Sequence, residues 1–470
     1  MKTSQSARLG NRVGARSISW VIALGAVALV GLQVTISSQQ AFGTKAVDPG
    51  PRDGAAAAGG PIAGLTGQQN EYFVAGKADF EEAENADEGM GPRMNLDSCA
   101  GCHSQPATGG TSPAVNPQVA FASKDGGRDD VPSFITLNGP VREVRFVRNG
   151  DGTPDGGVHA IFTITGRTGA RGCRLQQPDF DGQLSNNNVI FRIPTPAFGA
   201  GLIEGIPDGA ILANAANTAG ARNSLGIRGK ANFTVAGRTI SGQTNNNGND
   251  GTIARFGWKA QNKSLLIFSG EAYNVEMGIT NDLFTTEREE MAACQFEATP
   301  NSIIDMDASD PVVALSSIEK FAMFMRFLAP PMASTTVPGG AKSISDGLQL
   351  FQSTGCALCH TPSFTTGQSK IAALSNKPVN LFSDLLVHDM GDDLADGVSQ
   401  GGANGREFRT APLWGLGQRL FFLHDGRASD LISAIKAHAS SGSEANVAVA
   451  NFFLLSESDK QDLLNFLRSL

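Results

Sequence analysis

The chain has 470 residues, of which 41% are apolar and 17% are charged, with 37 Lys and Arg against 45 Asp and Glu. This balance is typical of a folded protein, and the net charge of −8 argues against nucleic acid as a partner. The length allows two or three domains, and the 56 Gly and 22 Pro predict long irregular connections.

Residues 1–43 are predicted to be a secretory leader. They carry four cations and no carboxylate, and an apolar run extends from Trp20 to Ile36. Cleavage after Gly43 would place small residues at the −3 and −1 positions. The alternative is an uncleaved anchor, because the apolar run is near the lower length limit for a membrane span. Both interpretations place the remaining chain outside the cytosol, in the periplasm or exported.

The next segments predict a linker and then short strands. Residues 44–67 are rich in Pro, Gly and Ala and have no periodic apolar face, which predicts a flexible linker. Apolar residues then recur at every second position in 141–147, 158–165 and 188–193. Each of these three stretches is bounded by Gly, Asn or Pro, so we expect a strand-rich part within residues 68–315.

From residue 316 onward the apolar spacing becomes helical. Ser456 and Asp459 form a capping box before the last helix, which predicts that residues 316–470 are mainly α. A short repeat links the two parts: Phe191–Gly201 resembles Phe408–Gly417, and an Asp-Gly pair follows each copy after six or seven residues.

Two five-residue motifs carry the chemistry. Cys99-Ala-Gly-Cys102-His103 and Cys356-Ala-Leu-Cys359-His360 both match the attachment pattern of a c-type haem. Two thiols on a tight helical turn reach the two vinyl groups, and the following His comes under the iron. Zinc ribbons need Cys pairs about 15–20 residues apart, which these pairs are not. We therefore expect two covalently bound haem c groups.

The two remaining cysteines, Cys173 and Cys294, predict a disulfide, because the chain is expected to reach an oxidising compartment. A redox-active thiol pair is the alternative, and it would ordinarily show a C-x-x-C spacing.

The C-terminal residues resemble a known family. RTAPLWGLG, FLHDGRASDLISAIKAH and FLRSL within 408–470, together with SDLLVHDMGDDLADG at 383–397, are similar to bacterial dihaem c-type oxidoreductases. That family is labelled peroxidase or thiol oxidoreductase and is related to dihaem cytochrome c peroxidases. The resemblance covers most of residues 68–470. It implies a mainly α fold of two cytochrome c-like haem domains, 68–315 with a strand-rich insertion and 316–470.

The resemblance also implies the ligands of the second iron. In the related peroxidases a distal ligand, commonly Met, follows the His of the His-Asp-Gly motif by 14 residues, and here that position after His424 is His438. A His360/His438 iron would have a lower potential than a His/Met iron. Met390 is the alternative ligand, although a Met beside a cofactor is commonly packing.

The first iron is expected to keep an open or weakly held sixth position. The internal repeat aligns Ala221 with His438, and Ala cannot bind iron. The only other His between His103 and His360 is His159, which lies in an alternating strand pattern typical of a structural or surface residue.

Several further residues are candidates for roles around the haems. Glu143 and Glu204 are candidates for the acid or base that a peroxidase needs, with a solvated carboxylate as the alternative. Arg192 and Arg409 are candidates for pairing with haem propionates. Trp258 and Trp414 are candidates for electron conduits, with core packing as the alternative. The loop 245–251 has oxygen ligands suited to Ca²⁺, as in the related peroxidases, but lacks EF-hand spacing.

These features together predict an exported, peroxidase-like dihaem c oxidoreductase. A small cytochrome or cupredoxin would donate electrons through the bis-His haem to the open-site haem, where peroxide or dioxygen binds. One alternative is a non-enzymatic dihaem electron-transfer cytochrome, with His159 as the missing ligand. The other is a dioxygen-using oxygenase resembling the dihaem enzymes that cleave polyisoprene.

Overall fold

The computed structural model describes residues 45–53, 58–233, 239–240, 243–244, 252–287 and 291–470. The predicted leader or anchor, residues 1–43, and the predicted calcium loop, 245–251, lie outside these residues. Within the described part of the chain, no helix is both long enough and apolar enough to cross a membrane.

Helices make up most of the regular secondary structure among the described residues, as predicted. In chain order they are α1 (Gly67–Glu81), α2 (Cys99–Cys102), α3 (Gln118–Phe121), α4 (Phe180–Ser185), α5 (Ala200–Glu204), α6 (Asp208–Asn217), α7 (Ala219–Ser224), α8 (Leu265–Met277), α9 (Ser317–Phe327), α10 (Gly340–Ser353), α11 (Leu431–Ala437), α12 (Asn446–Leu454) and α13 (Glu457–Ser469). The capping box predicted at Ser456 is half formed, because the Ser456 side chain accepts from the backbone N–H of Asp459 at the start of α13.

The strands are short and pair only in twos. They are β1 (Arg93–Met94), β2 (Glu143–Phe146), β3 (Phe162–Thr163), β4 (Val189–Arg192), β5 (Thr239–Ile240), β6 (Gln243–Thr244), β7 (Phe364–Thr365), β8 (Pro378–Val379), β9 (Val387–Asp389) and β10 (Glu407–Arg409). The antiparallel pairs are β1–β3, β2–β4, β5–β6, β7–β8 and β9–β10. Each of the three predicted strand segments contains an observed strand, but these strands do not join into one sheet.

Helices α1 and α9 cross at a glycine. A Cβ on Gly76 of α1 would overlap the backbone carbonyl of Lys320 on α9, so only Gly permits this close approach. One turn further along each helix, Phe80 and Phe324 pack with ring centroids 5.0 Å apart. The Phe80 ring also lies edge-on to His103 at 5.9 Å. This helix pair therefore supports the histidine of the first motif.

Helices α10 and α13 repeat the same arrangement around the second motif. A Cβ on Gly347 would overlap the backbone carbonyl of Asp462. Phe351 and Phe466 lie one turn further along, with centroids 5.3 Å apart, and Phe351 contacts the ring of His360 at 6.3 Å. The two helix pairs thus have the same spacing of Gly and Phe, which is a second internal repeat in the chain.

Helix α9 packs on α1 across the predicted division of the chain. The predicted boundary between residues 315 and 316 separates α9 from this partner helix. The described residues from 45 onward belong to one compact unit, so the division into 68–315 and 316–470 stays a prediction.

Residues 45–53 are held against the C-terminal helix, unlike the flexible linker predicted for residues 44–67. The backbone N–H of Ala46 donates to Glu457 at 2.7 Å, and Ala46 is buried in the core beside α13. The Asp48 carboxylate pairs with Arg468 at 2.7 Å. Composition alone predicted a flexible linker, because it does not reveal contacts between residues more than 400 positions apart.

The predicted disulfide is confirmed. Cys173 and Cys294 are bonded, with their Cα atoms 4.7 Å apart. Both cysteines are buried in the same apolar cluster as Phe162 and Phe180. The bond therefore closes a loop with a sequence separation of 121 residues, within the predicted domain 68–315.

Candidate haem and catalytic sites

The first motif opens on a cavity that we call the first cavity, lined by Cys99, Cys102 and His103. Cys99 and Cys102 are the ends of α2, and His103 caps this helix. The Nδ1–H of His103 donates to the carbonyl of Gly110 at 2.9 Å. This bond fixes the tautomer and leaves Nε2 with a free lone pair, the arrangement that a histidine ligand of a metal requires.

The second motif lines a second cavity together with His438. The Nδ1–H of His360 donates to the carbonyl of Phe382 at 3.0 Å, and that of His438 donates to the carbonyl of Ala434 at 2.7 Å. Burial, followed by the nearby His438, lowers the pKa of His360 to about 4. Burial also lowers the pKa of His438. His360 and His438 are therefore neutral imidazoles, each with its Nε2 lone pair free.

Two buried arginines show that the second cavity suits an anionic ligand. Arg409 and Arg419 both line it, and their guanidinium groups have no carboxylate partner among the described residues. Burial lowers the pKa of each to about 10, and for Arg409 the neighbouring Arg419 adds to the effect. Buried charges need a compensating partner. Haem propionates would supply it, which agrees with the role predicted for Arg409.

Arg192 is arranged differently from Arg409. It lines the first cavity, but its guanidinium pairs with the buried Asp396 at 2.7 Å. Lys259, also buried, pairs with the same carboxylate at 3.0 Å. Arg192 and Lys259 thus share one carboxylate, which leaves one positive charge of this group without a partner carboxylate. The propionate role of Arg192 stays a prediction.

The remaining histidines do not line the first cavity. The His159 ring stacks on Phe146 at 3.8 Å and pairs with Asp155 at 2.7 Å. His388 and His424 line the second cavity instead. All six histidines of the chain lie within the described residues, so His103 is the single imidazole of the first cavity. We therefore do not retain His159 as a ligand candidate.

Met390, the alternative ligand of the second iron, also lines the second cavity. Its neighbour His388 has no ring nitrogen free to bind iron, because the two nitrogens contact Glu444 at 2.8 Å and Asp384 at 3.0 Å. Of the ligand candidates predicted from the sequence, His438 and Met390 therefore both remain beside His360.

A pair of glutamates lies in the first cavity. Glu143 of β2 hydrogen-bonds to Glu276 of α8 and forms an ion pair with Arg145. Burial acts to raise the pKa of Glu143, but Arg145 and the bond to Glu276 overcome this effect and lower it. Burial and the charge of Glu143 raise the pKa of Glu276 well above its usual value. The pair therefore holds one proton, on Glu276, at neutral pH.

Glu204, the other predicted acid or base, is not part of this cavity. Its carboxylate pairs with Arg326 at 2.7 Å and accepts from the backbone N–H of Leu265 at the start of α8. It stabilises the packing of helices, so we do not retain it as a catalytic candidate.

Sequence reasoning missed Glu271 and Glu276. Both lie on α8, an otherwise apolar helix, and both line the first cavity. Burial raises the pKa of Glu271 to about 7. Carboxylates inside an apolar helix are rarely buried without a function or a partner, and this was the signal that could have found them.

Trp258 lies between the two cavities and lines both. Its Nε1–H donates to the carbonyl of Ile193 at 2.8 Å, and the backbone N–H of Ile193 donates to the carbonyl of His424 at 2.8 Å. His424 lines the second cavity. Trp414 lines neither haem cavity and instead packs on Gly199.

A family model described as "Di-haem oxidoreductase, putative peroxidase" matches residues 148–470. The chain belongs to this family. The matched residues make up more than two thirds of the chain and include the second motif, and the first motif precedes them. The resemblance seen in the C-terminal residues is confirmed, and the family implies haem cofactors.

Solved structures also show similarity at low identity. A MauG-like protein associated with microbial copper homeostasis is 18% identical over 51% of this chain and 78% of its own, with a TM-score of 0.28. The diheme peroxidase BthA from Burkholderia thailandensis is 16% identical over 46% of this chain and 65% of its own, with a TM-score of 0.28. Hydrazine synthase from Kuenenia stuttgartiensis is 18% identical over 34% of this chain and 56% of its own, with a TM-score of 0.22. The chain thus spans less than two thirds of the last two proteins. No curated protein matches.

Proposed function

We propose that the chain is an exported dihaem c-type peroxidase. Cys356, Cys359 and His360 would hold a haem that receives electrons, and Cys99, Cys102 and His103 would hold the haem that reduces peroxide. The observation that carries this proposal is the Glu143–Glu276 pair in a cavity that contains one imidazole.

The geometry of both motifs supports covalent attachment. All four cysteines of the motifs are free of disulfides, although Cys173 and Cys294 are bonded in the same chain. Each pair lies beside a histidine whose Nε2 is available. The Cys173–Cys294 bond also supports export, because disulfides persist in oxidising compartments.

The two cavities support different tasks. His360 and His438 would both bind the second iron, which suits electron transfer. His103 is the single histidine that could bind the first iron, which suits reaction with peroxide. A haem iron with an open position supplies the redox chemistry of O–O bond reduction.

The carboxyl pair supplies the proton chemistry. The Glu143 carboxylate, kept ionised by Arg145, accepts a proton from the incoming peroxide. The Glu276 carboxyl group donates its proton to the departing oxygen, which must leave as water or as an alcohol. Asn95 holds the Glu276 carboxyl in place with a hydrogen bond of 2.6 Å. Acid and base are thus present together at neutral pH.

Trp258 supports an electron path between the haems because it borders both cavities. The net charge of −8 favours a basic donor, a small cytochrome or a cupredoxin, at low ionic strength. The loop 245–251 is the candidate site for an additional Ca²⁺ ion.

Low-temperature EPR combined with peroxide turnover tests the proposal. We expect one high-spin and one low-spin ferric haem, and turnover of hydrogen peroxide with a reduced small cytochrome. Two low-spin haems that remain so after reduction, with no turnover, would identify an electron carrier. A stable ferrous dioxygen complex without peroxide turnover would identify an oxygenase.

A further inference from the structure

Tyr273 is a buried phenol at the first cavity, and the proposed peroxide chemistry does not use it. It lies on α8, it is 3% exposed, and it lines the cavity together with Cys99 and His103. Its ring packs edge-on against Phe321 with centroids 5.0 Å apart. The chain has only two tyrosines, and the other, Tyr72, lies on α1.

The hydroxyl group of Tyr273 has a carboxylate as its acceptor. It donates to Oε1 of Glu84 at 2.6 Å. Burial and then the charge of Glu84 raise the pKa of Tyr273 well above its usual value, so the phenol stays protonated in its resting state. Burial raises the pKa of Glu84 to about 7, and the hydrogen bond from Tyr273 opposes this effect. Glu84 is half-buried, so it also reaches solvent.

This pair has the arrangement that oxidation of a phenol requires. A phenol that loses one electron becomes a strong acid, and it loses the electron readily only when a base can take the proton at once. Glu84 is within hydrogen-bonding distance of that proton, and as a half-buried carboxylate it can bind the proton and release it to water.

We propose that Tyr273 is a second electron source for the first haem, used when the second haem cannot supply an electron. Breaking the O–O bond of one hydrogen peroxide takes two electrons, of which the bound haem would supply one and Tyr273 the other. Both protons of the peroxide leave with one oxygen as water. Two electrons from the donor later restore the haem and Tyr273, and two protons from solvent convert the other oxygen to water. The O–H bond of Tyr273 breaks, its proton goes to the Glu84 carboxylate, and a neutral tyrosyl radical remains. An electron from the donor and the proton from Glu84 later restore the phenol. This inference rests on the proposed use of peroxide.

Freeze-quench EPR tests the inference on the fully ferric holoprotein mixed with hydrogen peroxide in the absence of a donor. We expect an organic radical whose hyperfine splitting collapses when the protein is grown with ring-deuterated tyrosine. Tyr273→Phe should lose this signal while its ring packing is kept, and Tyr72→Phe should retain it. Glu84→Gln should also lose it, because the phenol remains but the base is gone. A tyrosyl signal that persists in Tyr273→Phe, or its absence from the unmodified protein after the haem spectrum has responded to peroxide, would overturn the inference.

The haem absorption spectrum separates the two proposals. If peroxide leaves this spectrum unchanged, the peroxidase proposal fails, and the haem is then oxidised with a photo-oxidised ruthenium complex instead. A tyrosyl radical that forms under this treatment and is lost in Tyr273→Phe supports the role of Tyr273 by itself. No radical under the same treatment overturns it.

Discussion

At the scale of single residues, the Glu143–Glu276 pair acts as one acid because two adjacent carboxyl groups cannot both ionise at neutral pH. Arg145 decides which one ionises, since it forms an ion pair with Glu143 and leaves the proton to Glu276. The proposed acid–base chemistry of the first cavity therefore depends on Arg145, two positions from Glu143.

Glu276→Gln removes the shared proton donor and keeps the shape of the side chain. We expect the rate of peroxide reduction to fall about 10²–10⁴-fold, the usual contribution of a general acid or base. The unmodified protein should also lose activity as the pH rises through the raised pKa of Glu276, because the carboxyl group that donates is then ionised. The variant should lack this step in a stopped-flow pH profile.

Glu204→Gln is the matched control for this change. Its carboxylate pairs with Arg326 outside the first cavity, so the peroxide rate and its pH profile should stay as in the unmodified protein. An equal loss of rate in both glutamate variants would contradict the assignment of Glu276.

His438→Met tests the ligand set of the second iron. Met is a weaker donor to the ferric state than His, so the potential of one haem should rise, on the order of 0.1 V within the roughly 0.8 V span set by axial ligands. A redox titration followed by EPR measures each haem separately. His159→Gln is the control and should leave both haems unchanged, since His159 contacts Phe146 and Asp155 instead of a haem cavity. An unchanged potential in His438→Met would favour Met390 as the ligand.

At the scale of elements, local chemistry was predictable from the sequence and long-range pairing was not. The haem motifs, the alternating strands and the capping residue at Ser456 depend on neighbours within a few positions. The partner of α9 is α1, more than 230 residues earlier, and no local pattern indicates it. The Gly-x-x-x-Phe spacing of Gly76 and Phe80 indicates a helix crossing only when it is compared with the same spacing at Gly347 and Phe351.

Gly347→Ala tests the helix crossing at the second motif. The added Cβ would overlap the carbonyl of Asp462, so α10 and α13 must separate, and we expect a loss of about 1–3 kcal/mol of unfolding free energy. Denaturant unfolding measures it. Gly209→Ala, on α6 with no atom near its Cβ position, should instead raise the stability by about 0.4–1 kcal/mol. Equal effects of the two changes would contradict the crossing.

Residues 45–53, which we call the strap, contact α11, the helix that ends just before His438. The Asp48 carboxylate accepts from the backbone N–H of Leu431, the first residue of α11, at 2.7 Å, and it pairs with the buried Arg468. His438 is the residue that follows α11. Arg52 adds a bond from its Nε to the carbonyl of Arg468 at 2.8 Å. Residues 45–53 thus join the first residue of α11 to the C-terminal helix α13.

Asp48→Asn should weaken this strap. Removing one charge of a buried ion pair typically lowers the unfolding free energy by about 3–5 kcal/mol, because the other charge stays buried. We also expect part of the second haem to become high-spin in EPR as His438 loosens. Asp53→Asn, which changes an exposed carboxylate of the same segment, is the control. A stable variant with an unchanged low-spin signal would show that the strap does not position His438.

At the scale of the whole molecule, the two cavities meet at Trp258. The sequence indicated two haem motifs and made Trp258 and Trp414 equal candidates for electron transfer between the haems. No local sequence pattern distinguishes the two tryptophans. The fold separates them, since Trp258 borders both cavities and Trp414 borders neither. The pairing of Glu276 with Glu143 was not predictable either, because Glu143 lies on a strand far away in the sequence.

Trp258→Phe tests whether the two halves work as one electron-transfer unit. Phe keeps an aromatic ring but lacks the N–H that donates to Ile193, so the path to the first haem loses its hydrogen-bonded link. We expect slower oxidation of the reduced second haem after peroxide is added, with both haem potentials unchanged. Stopped-flow absorbance follows this step directly. Trp414→Phe should leave the rate as it is, because this ring lies outside both haem cavities. If the Trp258 variant transfers electrons as fast as the unmodified protein, the electrons cross between the halves without this side chain.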